Sequence, residues 1–321
     1  MGYDARVTAL RGRSLWMYVF LCAVWGSTWL VIKIGLRDLP PLWFGGIRMA
    51  LACALIAPFA ILRGGRASAR GRTGRILWSG ALQIGVNYAC IFLAEERIDS
   101  GLAAVLFATF PLFVALFAHA MLPDEPLTAR IAASAGLGLL GVAVIEAPAL
   151  LTLFSAPDRA LLEGSGLVLV SSIVAAYANV YNKKRLHGVA PDWNTWLQTL
   201  SGSALLLSLA AAFEPAARLA WTPRSVFALT YLAVLGTALP FAGLFWLLGR
   251  VPVAVIGTIP IVDTVIAVAL GALILGESFS PRVLAGAALI LVAVLMAAMS
   301  RRFPVTGSRS ESISASGNPT P

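Results

Sequence analysis

The sequence predicts an all-α integral membrane protein with ten transmembrane helices arranged as two inverted five-helix repeats. Three observations predict it. The first is composition: 59% of the 321 residues are hydrophobic and 12% are charged, against roughly 45–50% and about 25% in soluble domains. Mean hydropathy is +0.85. A water-soluble globule of this length cannot cover itself with so few charges, which excludes a cytosolic enzyme and a disordered chain. The net charge of +9 does not indicate a nucleic-acid binder, because the basic residues are dispersed between apolar runs. The second observation is a series of ten apolar segments, each close to the roughly 20 residues that span a bilayer. The third is the distribution of charge among the loops between them.

Residues 1–13 carry Arg6, Arg11 and Arg13 and read as a cytoplasmic N-terminus. No charge follows from Ser14 to Ile32, which is too long for the roughly 7–15-residue core of a cleaved signal. This segment is therefore a retained first span. The spans are predicted at 14–36, 43–62, 76–94, 100–122, 128–147, 164–182, 193–213, 225–249, 251–275 and 282–300. The fifth is weakest, with only 131–145 free of charge, and the second and ninth contain Arg48 and Asp263. Residues 148–163 form an outer loop, and 301–321 read as a disordered cytoplasmic tail rich in Ser, Pro, Gly and Thr. With both termini inside, sixteen Lys and Arg fall in cytoplasmic loops and six in outer ones, leaving Lys33 and Arg48 at membrane depth. That bias supports ten spans, since one misplaced helix would flip half the loops. Cys22, Cys53 and Cys90 are odd in number and lie in apolar runs, so they read as small core residues rather than a disulfide framework.

The halves, 14–147 and 164–300, resemble one another weakly. Arg97, Pro111 and Glu125 align with Arg250, Thr264 and Glu277, and Lys33 and Pro41 align with Lys183 and Pro191. Five spans per half is an odd number, so the second half starts on the opposite side. Inverted repeats of this kind mark many secondary transporters, whose substrate sits near the midplane between the repeats.

These residues, in their order and spacing, resemble the EamA-like permeases of the drug/metabolite transporter superfamily. The resemblance rests on Trp25-Gly26-Ser27-Thr28, Pro41 with Arg48, Gly101-Leu102-Ala103-Ala104 leading to Pro111, and Leu275-Gly276-Glu277. It covers about 14–300 and implies ten helices in two five-helix repeats. It also implies export or exchange of small metabolites such as amino acids, or of drugs, in a bacterial inner membrane. Two departures stand out: Pro123-Asp124-Glu125 replaces the usual Gly-Glu, and Asp263-Thr264 stands where the second repeat often has Glu-Pro.

Asp263 is the foremost candidate for transport chemistry. A central Asp costs roughly 2.5–3.5 kcal/mol on insertion scales, so it must face a partner or a wet cavity. It couples protons or holds a substrate amine, or else serves as a structural group at a helix break near Gly257 and Pro260. Ser79, Gln83 and Asn87 share one helix face, lining a cavity or bonding another helix, with Tyr88 at the edge. Trp25, Thr28, Tyr177 and Asn179 combine aromatic and polar groups that suit a mostly apolar metabolite with a few polar handles. Phe241 and Trp246 add a stacking wall or, alternatively, core or lipid contacts. Lys33 is expected to snorkel toward the outer headgroups. Arg48 is expected to pair with Glu95 or Glu96, and the lone His119 to make a helix–helix contact.

No zinc-binding, nucleophile-elbow or phosphate-loop motif is present, so neither metal, cofactor nor enzymatic activity is expected. The expected partners are a small-molecule substrate, the lipid bilayer and protons, and no nucleic acid. A lipid or lipid-linked sugar flippase is the alternative, with a membrane enzyme or complex subunit behind it.

Overall fold

The structure is a computed structural model that describes residues 12–123, 128–151, 158–248, 250–251, 253–256 and 258–300. Among the described residues the regular elements are all helical. In chain order they are α1 (Arg13–Gly35), α2 (Pro41–Leu62), α3 (Thr73–Glu95), α4 (Ser100–Phe107), α5 (Phe110–Met121), α6 (Ala129–Leu151) and α7 (Arg159–Arg185). There follow α8 (Pro191–Phe213), α9 (Pro223–Ala233), α10 (Leu239–Leu248), α11 (Val253–Ile256), α12 (Ile259–Leu275) and α13 (Pro281–Ser300). Among the described residues, six stretches are long and apolar enough to cross a membrane: α1, α2, α3, α4 with α5, α7 and α8. Shorter apolar helices occupy Ala129–Ile145, Ile259–Leu275 and Pro281–Met296.

Local sequence sets the helix ends. Pro41, Pro191 and Pro223 open their helices, where the missing N–H would have had no intrahelical partner. Thr222 and Ser225 form a reciprocal capping box on α9. The carboxylate of Glu214 accepts from the backbone N–H of Leu42 and Trp43 at 2.9–3.0 Å, so the end of α8 caps the start of α2. α12 stops at Gly276, whose φ of 70° only glycine adopts without strain.

Packing follows these anchors. α2 lies against α8, α6 against α13, α1 against α12, and α3 between α7 and α8. Phe44 and Phe92 meet edge to face at 5.1 Å within the largest apolar cluster. Gly26 permits the α1–α12 approach: a Cβ there would stand 2.7 Å from the Ile266 side chain and 2.8 Å from the Asp263 carbonyl oxygen. Trp16, Phe59, Leu62, Phe213 and Leu273 are each at least 60% exposed, an arrangement that fits a hydrocarbon solvent and not water.

The largest departure from the sequence expectation is that two spans are broken. The segment read as continuous at 100–122 is interrupted between α4 and α5, and the one at 251–275 between α11 and α12. Both breaks are built alike. Thr109 and Thr258 occupy the joints, and Pro111 and Pro260 stand at the second position of the following helix. Each proline removes an N–H from the helical ladder. The Thr109 hydroxyl donates to the Leu106 carbonyl at 2.7 Å, and the Thr258 hydroxyl to the Val255 carbonyl at 2.6 Å. The two breaks thus share a Thr-x-Pro pattern, at Thr109–Pro111 and at Thr258–Pro260. The loop expected at 148–163 is also shortened, since α6 runs to Leu151 and α7 starts at Arg159. The N-terminus to residue 11, Glu125, Gly257 and the tail from 301 lie outside the described residues.

The α1–α2 turn is tied to α9 by Asp38. Its carboxylate accepts from both Nε and Nη2 of Arg224, at 2.8 and 2.5 Å, and from the Thr222 hydroxyl at 2.6 Å. These bonds, Arg224 foremost, hold the Asp38 carboxyl down at about 2. The unfolded chain binds this proton more readily than the folded one, so the stabilisation is complete above about pH 4 and is lost as pH falls toward 2. In acid titrations of detergent-solubilised protein, wild type should therefore exceed Asp38→Asn in thermal stability at neutral pH, with the gap closing between about pH 4 and pH 2. A gap independent of pH would refute this assignment.

Candidate functional site

The two broken helices, α1, α2, α3 and the turn joining α9 to α10 enclose a cavity of about 240 Å³. Helix α1 contributes Trp25, Thr28 and Trp29, α2 contributes Arg48, and α3 contributes Asn87 and Tyr88. Phe107, Phe110 and Pro111 come from the first break, and Pro260, Asp263 and Thr264 from the second. Gly236 completes the wall from a wide turn, Val234–Ala238, in which the helix takes one extra residue. A Cβ at Gly236 would lie 3.2 Å from Thr28 Cγ2 and 3.3 Å from Arg48 Nη2.

The cavity is aromatic with few polar groups. Phe107 and Phe110 stack with centroids 5.7 Å apart, and Trp29 tilts against Phe107 at 5.6 Å. The hydroxyls are mostly satisfied locally: Thr28 donates to the Trp25 carbonyl at 2.6 Å, and Thr264 to the Pro260 carbonyl at 2.7 Å. Asp263 is nearly unengaged. Its one bond among the described residues is a long 3.5 Å contact from the Thr264 hydroxyl.

Residues 13–147 and 162–299 each match the EamA-like transporter family. The chain belongs to this family. Among curated relatives, the EamA-like protein is 27% identical to an uncharacterized transporter of Bacillus subtilis, YoaV, over 85% of this chain and 92% of that one. It is 28% identical to an uncharacterized inner membrane transporter of Escherichia coli, YedA, over 81% and 82%. It is 27% identical to a probable amino-acid metabolite efflux pump of Salmonella typhimurium, over 85% and 90%. A solved crystal structure superposes with a TM-score of 0.61 at 17% identity, covering 91% of this chain and 98% of the other, and so shares its fold.

In this EamA-like transporter, five of the sequence candidates meet at the cavity: Trp25, Thr28, Asn87, Tyr88 and Asp263. Four do not. Gln83 lies one turn before Asn87, where its backbone carbonyl accepts from Asn87 Nδ2 at 3.0 Å. Tyr177 packs edge to face on Phe117 at 5.7 Å and against Tyr181, while Asn179 is exposed on the outside of α7. Phe241 belongs to α10, but its side chain lies outside the described residues. The polar face of α3 is thus divided between two roles. Ser79 donates to Asn182 at 2.5 Å and Asn87 accepts from Ser171 at 2.5 Å, bonding α3 to α7, while Asn87 also reaches the cavity.

The two cations expected at membrane depth have different partners. Lys33 donates to the carbonyls of Glu95 and Ile98 at 2.5 and 2.7 Å, which ties it to the end of α3. Arg48 makes no ion pair with Glu95 or Glu96. It is 2% exposed, lies over the Tyr88 ring at 5.0 Å and reaches the cavity wall. Sequence reasoning assigned it a structural pair. The signal that it belongs to the cavity was present, since a charge at membrane depth requires a partner or a wet surface.

The N-terminus of α4, the helix that leads into the first break, is held in place from the second half of the chain. Glu277 accepts from the Ser100 N–H and hydroxyl at 2.8 and 2.7 Å, and from the Gly101 N–H at 3.0 Å. A carboxylate at this helix N-terminus both satisfies free N–H groups and complements the helix dipole. Glu277→Ala should lower stability by roughly 1–3 kcal/mol, read as a lower melting temperature in detergent, with Glu277→Gln intermediate. An unchanged melting temperature for Glu277→Ala would disprove the anchoring role.

Proposed function

We propose that this protein is a secondary transporter that exports amino acids or closely related small metabolites across a bacterial inner membrane by alternating access. The observation that carries the proposal is Asp263: an acid with one weak hydrogen bond, set beside a helix break in a cavity at the centre of the bundle. Discontinuous helices meeting at a central site are the general construction of secondary transporters. The volume of about 240 Å³ falls below the roughly 300–1,000 Å³ of drug-sized sites, which favours a small metabolite. The name borne by the Salmonella relative agrees with amino-acid-related efflux, and that of the Escherichia coli relative with an inner-membrane location.

The same reading takes the chain as ten spans in two inverted repeats with both termini cytoplasmic. Three features support it: the two separate family matches, the sixteen-to-six loop charge bias, and the matched Thr–Pro breaks. In this mechanism Asp263 alternately holds a proton and releases it or binds the substrate's ammonium group. Trp25, Thr28, Asn87 and Tyr88 surround the substrate. Gln83, Tyr177, Asn179 and Phe241 are kept as candidates for another stage of the cycle, in which the repeats are tilted differently.

Purified protein in sealed vesicles, loaded with a mixed pool of amino acids and small metabolites, should release a selected subset, detected by mass spectrometry. A pH gradient should accelerate that release. Asp263→Asn should lower gradient-driven release at least tenfold while leaving folding and insertion intact. Release with unchanged rate and pH dependence in the variant would remove Asp263 from the coupling role.

A further inference from the structure

The cavity holds a second charge that the proton-coupling role of Asp263 does not use. Arg48 is a permanent cation buried to 2% exposure on α2, seven residues after the helix-opening Pro41. Its partners within the protein are few. Nη2 donates to the Thr237 hydroxyl at 3.4 Å, and the guanidinium plane lies 5.0 Å from the Tyr88 centroid and 5.9 Å from that of Phe92. Nε and Nη1 have no acceptor among the described residues. Buried donors of a charged group are costly to leave unpaired, so the site calls for an anion.

The protein does not itself supply that anion. Glu95 is the nearest acid by electrostatic influence, yet neither of its buried oxygens bonds to Arg48. Lys33 acts on Glu95 more strongly than Arg48 does, and its ammonium sits on the Glu95 and Ile98 carbonyls. Asp263 is on another wall of the cavity and forms no ion pair with Arg48. The cavity therefore presents one cation and one anion on separate walls, joined by aromatic surface. The Tyr88 and Phe92 centroids are 6.3 Å apart and both lie to one side of the guanidinium carbon, while the unpaired Nε and Nη1 belong to the planar fork of donors that binds a carboxylate bidentately.

We infer that Arg48 binds the carboxylate of the transported molecule, so that the substrate class is zwitterionic: a carboxylate at Arg48 and an amine toward Asp263. This inference rests on the transport reading above and deepens it. It assigns Tyr88 a positioning role, holding the guanidinium plane so that its edge meets the substrate, and Thr237 the role of fixing Nη2.

The test is binding by isothermal calorimetry to full-length protein in detergent, which needs no transport. The probes are the twenty proteinogenic amino acids, their α-amides, and the corresponding desamino carboxylic acids, which keep the carboxylate and lack the amine. In wild type, at least one amino acid should bind, and its amide at least tenfold more weakly. Arg48→Gln should reduce amino-acid affinity at least tenfold, to the level of the amide, while amide affinity stays unchanged. Arg48→Lys should recover part of the loss. The acid-to-amide comparison in wild type requires no variant, so misfolding of Arg48→Gln does not remove the test. Equal binding of acid and amide to wild type, an equal loss of both in Arg48→Gln, or no binding of any carboxylate would each overturn the inference. Those outcomes leave the transport reading standing if wild-type vesicles still release metabolites. If wild-type vesicles release nothing, both readings fall.

Discussion

The requirement that every backbone polar group in the bilayer be satisfied from within the chain governs this structure. Long helices meet it everywhere except at the breaks after Phe107 and Ile256. At each break a threonine hydroxyl adds a bond to the carbonyl three residues earlier, and at the start of α4 the Glu277 carboxylate takes up the free N–H groups. Irregular backbone at membrane depth is tolerated only where protein or a cavity covers it, and both breaks border the same cavity. The cavity, in turn, depends on close helix approach elsewhere. Gly26 lets α1 touch α12, and the hydroxyl pairs Ser27–Tyr231 at 2.6 Å and Tyr18–Thr258 at 2.8 Å tie α1 to both the α9 region and the second break.

The intramembrane charges sort by the same logic into those the fold satisfies and those it does not. Lys33 is satisfied by two backbone carbonyls, and Glu277 by three donors at α4. These groups hold elements together, and replacing them removes structure. Arg48, Asp263 and Glu95 are left with spare capacity, and of these Arg48 and Asp263 reach the cavity. A central charge with no structural partner has an insertion cost of a few kcal/mol, which a purely structural role leaves unexplained. Binding a counter-charge from the solute explains it for both residues at once.

Much of the helical framework was legible in the sequence because bilayer thickness imposes a length on apolar runs. Six segments are long enough and apolar enough to cross, in the places that the runs at 14–36, 43–62, 76–94, 100–122, 164–182 and 193–213 indicate. The breaks were less legible. Pro111 and Pro260 lie inside unbroken apolar runs, where hydropathy averages over them, and the matching threonines at 109 and 258 carry no charge to draw notice. The cavity was half legible. Asp263, Asn87 and Trp25 stood out as polar or amphipathic residues near mid-helix. Tyr177 and Asn179 stood out on the same grounds, yet α7 turns one to a neighbouring ring and the other outward. Which way a helix faces is decided by packing between elements distant in sequence, and composition does not record that. Arg48 was misjudged for the same reason: Glu95 lies on the same side of the membrane, but Lys33 commands the end of that helix.

The character of the cavity bears on the flippase alternative that the sequence leaves open. A lipid or lipid-linked sugar needs a path that admits a headgroup from the side while its chains stay in the bilayer. Here aromatic rings line the space, Trp29 tilted on Phe107 and Phe107 stacked on Phe110, and the volume of about 240 Å³ is small for a sugar phosphate joined to a lipid. The charges are also wrong for it. A phosphate would be drawn to Arg48 but repelled by an ionised Asp263 sharing the same cavity. A molecule with opposite charges at its two ends and an apolar body between them meets each wall with the group it lacks. On the proposed reading, size, charge order and aromatic lining all favour a small amphipathic zwitterion over a lipid.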